Sequence, residues 1–116
     1  MNIDIDSNSD GKIALYEIAL GQVVKSSGGF NDGVRHHLVV ARNGVQFMIF
    51  VDGALVGHTQ YGSLNIFAIS TSGVQLGNSA TSSRALVGFL DNWRIVKGQA
   101  IYNVPFTPPT PPFPTS

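Results

Sequence analysis

Arg35-His36-His37-Leu38-Val39-Val40-Ala41-Arg42, then Asn43-Gly44, then Val45-Gln46-Phe47-Met48-Ile49-Phe50-Val51, then Asp52-Gly53, then Ala54-Leu55-Val56-Gly57-His58: this stretch decides the fold. Apolar-rich runs are separated by Asx-Gly pairs, the residues that tolerate the positive φ angles of a two-residue hairpin turn. The pattern predicts three antiparallel strands in a meander, at 35–42, 45–51 and 54–58. Phe47 to Val51 is apolar on both alternating faces, which predicts a central strand covered on both sides.

The same punctuation extends outward. Asp10-Gly11 is a third Asx-Gly pair. Before it, Asn2-Ile3-Asp4-Ile5-Asp6 alternates as a half-buried strand. After it, Lys12 to Ile18 and Gly21 to Lys25 read as a second strand pair. Leu64–Ser70, Val74–Gly77 and Leu86–Val96 supply further strands, separated by polar loops at Ser70–Gly73 and Asn78–Ser83. No segment carries a capped 3.6-residue apolar period. The expectation is an all-β, antiparallel, jelly-roll-like β-sandwich. All six prolines fall between Pro105 and Pro114, and a proline donates no ladder hydrogen bond. The chain therefore divides into a sandwich over 1–104 and an extended Pro-rich tail over 105–116. Phe106 and Phe113 could pin that tail across the sandwich; the alternative is a solvated linker.

Composition narrows the function. At 116 residues the chain is one domain, able to bury roughly two thirds of its unfolded surface. Hydrophobic residues make up 43%, and Lys+Arg balance Asp+Glu at seven each. Nucleic acid and anionic membranes select a basic surplus, so neither is an expected partner. Without cysteine there is no disulfide scaffold, thiol nucleophile or zinc–cysteine site. No apolar run reaches the length of a membrane span, and the first residues carry no signal-peptide pattern. Any work outside the cell is expected to need another route of export.

Several constellations invite a chemical reading. Asp6-x-Asn8-x-Asp10-Gly11-x-Ile13-x-x-x-Glu17 satisfies the spacing of an EF-hand calcium loop, with oxygen ligands at alternate positions and a glycine at the bend. That loop works between helices, whereas here the entering segment alternates as a strand. A β-hairpin with its tip at Asn8-Ser9-Asp10-Gly11 is the favoured reading, so no metal or other cofactor is expected. Asp6, Asn8, Asp10 and Glu17 remain the candidates for a calcium site. His36 and His37 are adjacent, and adjacent strand residues point to opposite faces, so they cannot share one ion. Gly28-Gly29 precedes no helix and is no phosphate loop, and no Gly-x-Ser-x-Gly elbow exists.

Asp91 shares a regular-strand face with Phe89, Trp93 and Ile95; an inward carboxylate there needs hydrogen bonds. It is expected to accept from loop amides, with Arg94 or Arg84 near it. Trp93, the only Trp, is either core or a sugar-stacking platform. His58 and Tyr61 form an expected exposed polar and aromatic pair. Asn78 and Ser79 lie in a loop of small hydrogen-bonding side chains suited to sugar hydroxyls. His58, Tyr61, Asn78, Ser79 and Trp93 are thus the candidate ligand-binding residues.

Gly88-Phe89-Leu90-Asp91-Asn92-Trp93-Arg94-Ile95, then Lys97-Gly98, Tyr102 and Phe106-Thr107-Pro108-Pro109-Thr110, resembles the last strand and exit of a laminin-G-like domain. That domain type belongs to the concanavalin A-like lectin/glucanase superfamily, and the version this chain resembles occurs in phage tail and virion structural proteins. Arg35 to Gly44, Val51-Asp52-Gly53 and Val74-Gln75-Leu76-Gly77 resemble the same family, except that Arg35 stands where an aromatic is usual. The glucanase branch carries two Glu and an Asp on one strand as nucleophile and acid/base. Glu17 is the only Glu here and Asp91 is alone on its segment, so the expectation is no enzyme. The resemblance implies a non-catalytic glycan- or subunit-binding module on a virion or extracellular surface. The alternative is a fragment of a glycoside-active or calcium-dependent adhesion domain. Such domains run longer, and Met1 opens directly into a strand. The first strands are therefore expected to be lacking, and the N-terminal edge to be covered by a partner in a homo-oligomer or larger assembly.

Overall fold

A computed structural model describes residues 2–5, 10–17, 21–61 and 86–110. Six strands form: β1 (Asn2–Ile5), β2 (Ile13–Glu17), β3 (Gly21–Lys25), β4 (Leu38–Asn43), β5 (Gln46–Val51) and β6 (Ala54–Gln60). They make two antiparallel three-stranded sheets, ordered β1-β2-β3 and β4-β5-β6, and no helix occurs among the described residues. Both sheets contribute to one core: Ile13, Leu15, Val23 and Val24 from the first, Phe47, Ile49 and Val51 from the second. Each fully buried side chain of this size contributes about 1.5–3 kcal/mol. Ladder bonding and this shared core make the chain an antiparallel β-sandwich.

β5 lies at the centre of its sheet, and both its faces are covered, as its unbroken apolar run predicts. Phe47, Ile49 and Val51 face the inter-sheet core, whereas Met48 and Phe50 face outward, under Tyr102 and Phe106. Two bulges adjust the contact between the sheets. One, opposite Leu15/Tyr16, lets the neighbours Val23 and Val24 both enter the core. The other, on β6 opposite Ile49/Phe50, turns the Val56 carbonyl to accept from Ser27 N–H at 2.7 Å. Gly57, beside that bulge, allows β3 to come close: a Cβ there would stand 2.9 Å from the Lys25 carbonyl. The buried Ser26 is satisfied, since its hydroxyl accepts from Ile13 N–H at 3.0 Å and donates to the Gly28 carbonyl at 2.8 Å.

The Asp52-Gly53 turn is as expected. Val51 pairs with Ala54, and Asp52 (φ 52°) and Gly53 (φ 84°) are both left-handed, as a type I′ turn requires. The β4–β5 turn sits one residue later than the Asx-Gly pair suggests. Asn43 pairs with Gln46, so Gly44 and Val45 form the loop, and only Gly44 has positive φ (59°). That is the II′ arrangement, in which glycine takes the first loop position and Asn43 stays in the ladder. β4 also begins at Leu38 rather than Arg35, and β6 continues to Gln60.

Leu86–Val96 does not form a strand: it has no ladder partner among the described residues, and Asn92 (φ 51°) breaks its alternation. Phe89, Trp93 and Ile95 face solvent. Alternation alone does not make a strand; it also needs a neighbour to take its amides and carbonyls. The predicted strands Leu64–Ser70 and Val74–Gly77 lie outside the described residues. Past Tyr102, the chain crosses the outer face of β4-β5-β6. Phe106 donates its N–H to the Gly53 carbonyl at 2.9 Å, stacks on Tyr102 with centroids 3.8 Å apart, and meets Phe50 edge-on at 5.6 Å. Phe106 thus anchors the Pro-rich stretch to the sandwich; Phe113 lies outside the described residues.

Candidate binding surface

The turn that carries Gly53 also builds the main polar cluster of the domain. Asp52 caps the chain as it enters β4: its Oδ1 accepts from His37 N–H at 2.9 Å, while its own N–H donates to the His37 carbonyl at 2.9 Å. Asp52 Oδ2 lies 2.6 Å from His36 Nδ1, and Asp32 Oδ1 lies 2.9 Å from His36 Nε2. With a carboxylate at each ring nitrogen, His36 is best satisfied as an imidazolium, in which both nitrogens donate. The hydrogen bond to Asp52, then that to Asp32, holds its pKa above the ordinary 6.5. Burial pushes Asp52 up, but its bonds to His36 and to His37 N–H outweigh that and leave it below the usual carboxylate value. Asp32 is lowered by Val34 N–H first and by His36 second.

The two histidines face opposite sides, as neighbours in an extended chain should. His36 packs edge-on to Phe30 at 5.4 Å, whereas His37 packs edge-on to Phe106 at 5.7 Å and Tyr102 at 6.4 Å. Burial lowers the His37 pKa, with only partial compensation from Asp52.

A second feature adjoins the cluster. Arg35 Nη2 donates to both oxygens of Asp91, at 2.8 and 2.9 Å. This corrects the expected environment of Asp91, which is exposed and paired with Arg35 rather than with loop amides. The pair ties segment 86–104 to the loop before β4. Val87, Phe89, Leu90, Trp93 and Ile95 along that segment are all solvent-exposed, with Trp93 at 64%. Trp93 is therefore a surface indole, not a core residue.

The remaining candidates separate. His58 pairs across the ladder with Met48, on the outer face beside Phe50, and is exposed. Tyr61 packs on the inner core against Phe47, centroids 6.4 Å apart. They do not form a pair, and their odd spacing, which puts strand neighbours on opposite faces, is the signal that was available. Asn78 and Ser79 lie outside the described residues.

Of the calcium pattern, Asp6 and Asn8 also lie outside the described residues. Asp10 Oδ2 binds Lys25 Nζ at 2.6 Å and its Oδ1 accepts from Lys12 N–H at 3.1 Å. The Lys25 bond and then the Lys12 bond lower its pKa. Glu17 lies in β2, opposite Gly21, so strand pairing replaces the exiting helix of an EF-hand. Among the described residues no group of three His, Cys, Asp or Glu is placed to hold a metal ion.

These features define a class: an antiparallel β-sandwich with a long exposed segment and a Pro-rich strap over one face. A protein-family model described as the concanavalin A-like lectin/glucanases superfamily, laminin G type, matches residues 2–100. The chain belongs to that family. Among solved structures it is similar to residues 221–444 of an S-layer domain-containing protein from Clostridium thermocellum. The identity is 22% and the TM-score 0.51, over 88% of this chain and 58% of that one. That likeness is one of fold, and this chain spans a little over half of the crystallised piece. A search of curated proteins found no match.

Proposed function

We propose that this domain is a non-catalytic binding module that holds a glycan on the surface of a larger assembly, with Trp93 as the stacking platform. The observation that carries this reading is an indole left 64% exposed two residues from the Arg35–Asp91 ion pair. An indole face covers the C–H face of a sugar ring. Arg35 uses only Nη2 on Asp91, which leaves N–H groups on Nη1 and Nε for hydroxyl oxygens.

The carboxylates support binding over hydrolysis. Asp32 and Asp52 stand either side of one group, but that group is the His36 ring, so no sugar or water fits between them. Asp91 is neutralised by Arg35, and Asp10 by Lys25. The setting we propose, a phage tail, virion or other extracellular surface, rests on the likeness of segment 88–110 to the exits of such domains.

A second reading, a neighbouring protein subunit as the ligand, is favoured by the number of exposed apolar side chains spread from Val87 to Val104, more than one sugar ring covers. Titration of the purified domain with soluble polysaccharides, followed by Trp93 fluorescence and by released reducing ends, tests the first. A glycan is expected to change the emission without being hydrolysed, and Trp93→Ala to abolish binding at unchanged melting temperature. Binding that survives Trp93→Ala refutes the stacking role. Turnover refutes the non-catalytic reading. Light scattering that shows assembly beyond 12.4 kDa, lost on Phe89→Ser, favours the subunit.

A further inference from the structure

Four Asx-Gly pairs occur in the chain: Asp10-Gly11, Asp32-Gly33, Asn43-Gly44 and Asp52-Gly53. In such a pair the glycine nitrogen can attack the carbonyl carbon of the preceding side chain, because no Cβ shields it. The fold treats the four unequally. Asp10 gives one oxygen to Lys25 and the other to Lys12 N–H, and the Asn31 side chain lies over Gly11. Asp52 uses both oxygens, on His36 Nδ1 and His37 N–H, and Gly53 lies under the Phe106 carbonyl. There is room around Gly33, but Asp32 Oδ1 is held by Val34 N–H and faces His36 Nε2. All three aspartates are carboxylates, ionised near neutral pH, and a carboxylate anion is a poor electrophile.

Asn43-Gly44 differs on each count. Asn43 is exposed and carries a neutral carboxamide, a thermolabile group. No hydrogen bond to that carboxamide occurs among the described residues. A Cβ added at Gly44 would touch nothing. The bonds that hold the turn go elsewhere: the Gly44 carbonyl accepts from Arg42 Nε at 2.8 Å, and the Val45 carbonyl from Tyr61 N–H at 2.9 Å. Asn43–Gln46 is the last pair of the β4–β5 ladder. Only that pair has to open for the Asn43 main chain to rotate and bring Cγ to the Gly44 nitrogen, and end pairs open at little cost.

We propose that Asn43 is a self-modification site, at which the Gly44 nitrogen converts the asparagine to aspartate and isoaspartate. The Gly44 nitrogen gives its proton to base and bonds to Asn43 Cγ. The Cγ–Nδ2 bond breaks, and Nδ2 takes up a proton and leaves as ammonia. Water then opens the resulting succinimide: attack at Cγ gives aspartate, and attack at the main-chain carbonyl gives isoaspartate. Water enters, ammonia leaves, and no oxidant or reductant is needed. The product moves a chain of balanced charge to one net negative charge. Isoaspartate also adds a main-chain atom to a hairpin whose register is set by its two-residue loop.

The test incubates the full chain in warm, mildly alkaline buffer and follows it by ion exchange and peptide mass spectrometry, with enzymatic methylation to reveal isoaspartate. Asn43 is expected to react ahead of isomerisation at Asp10, Asp32 or Asp52. The native rate is expected within about tenfold of that in the urea-unfolded chain, since only an end pair opens. A reaction that required global unfolding would lag by about a thousandfold or more. Gly44→Ala, whose Cβ shields the nitrogen, is expected to slow the reaction severalfold in both states. A native rate below the tenfold bound overturns the proposal, as does isomerisation at an Asp-Gly pair before any change at Asn43. An unchanged rate in Gly44→Ala overturns the attack by the Gly44 nitrogen.

Discussion

Removing the Phe106 ring tests whether the Pro-rich stretch is a strap or a linker. Truncating a fully buried Phe costs about 3–5 kcal/mol. Phe106 is incompletely buried, so less than that, about 2 kcal/mol, is at stake. Its contacts account for a figure of that size: a stacked ring on Tyr102 and edge contacts to Phe50 and His37, each aromatic pair being worth about 0.5–1.5 kcal/mol. In a domain of this length each kcal/mol moves the melting temperature by roughly 4 °C, so Phe106→Ala should melt about 8 °C lower. The control is Phe89→Ala, the same chemistry at a fully exposed position, which should stay within about 0.5 kcal/mol of wild type. Both are read by thermal unfolding followed in near-ultraviolet circular dichroism. If Phe106→Ala melts within about 2 °C of wild type, or no lower than Phe89→Ala, the strap is not docked and the outer face of β5 is not covered by it.

Three further predictions address other joints of the molecule. Gly53→Ala should destabilise more than Gly44→Ala: both have positive φ, but only at Gly53 would the new Cβ overlap the Phe106 carbonyl, with open space at Gly44; equal losses would argue against the strap crossing there. The stability that His36 contributes is fully present below its ordinary pKa of 6.5 and is lost as pH rises through the raised folded value. The gap between wild type and His36→Gln in urea unfolding should therefore narrow from pH 6 toward about pH 9, and a widening gap would contradict the pairing of His36 with the two carboxylates. Saturating calcium should leave the melting temperature unchanged, since an ion at Asp10 must displace Lys25; a chelator-reversible rise that Asp10→Ala removes would restore the calcium reading.

The elements legible in the sequence are those fixed by local stereochemistry or by an unbroken apolar run. Asp52-Gly53 could be placed because two successive left-handed residues admit few alternatives, and β5 because a run apolar on both faces has no solvent side. β3 was legible to the residue, Gly21 to Lys25. The β4–β5 turn was shifted by one because Asn43-Gly44 and Gly44-Val45 both satisfy a two-residue hairpin, and only the ladder chooses between them. Segment 86–96 has a strand's alternation, but pairing is a property of two segments, and no ladder partner meets it among the described residues. The His36 cluster was invisible because its members come from separate turns: the β5–β6 hairpin brings Asp52 to His36, and Asp91 reaches Arg35 from 56 residues away. Whether Phe106 anchored a strap or trailed in a linker was likewise undecided by its neighbours in sequence. Local rules determine where the chain can turn and which runs must be buried; which distant groups then meet depends on the packing of one sheet against the other, because burial and ion pairing are relations between segments that no single segment carries.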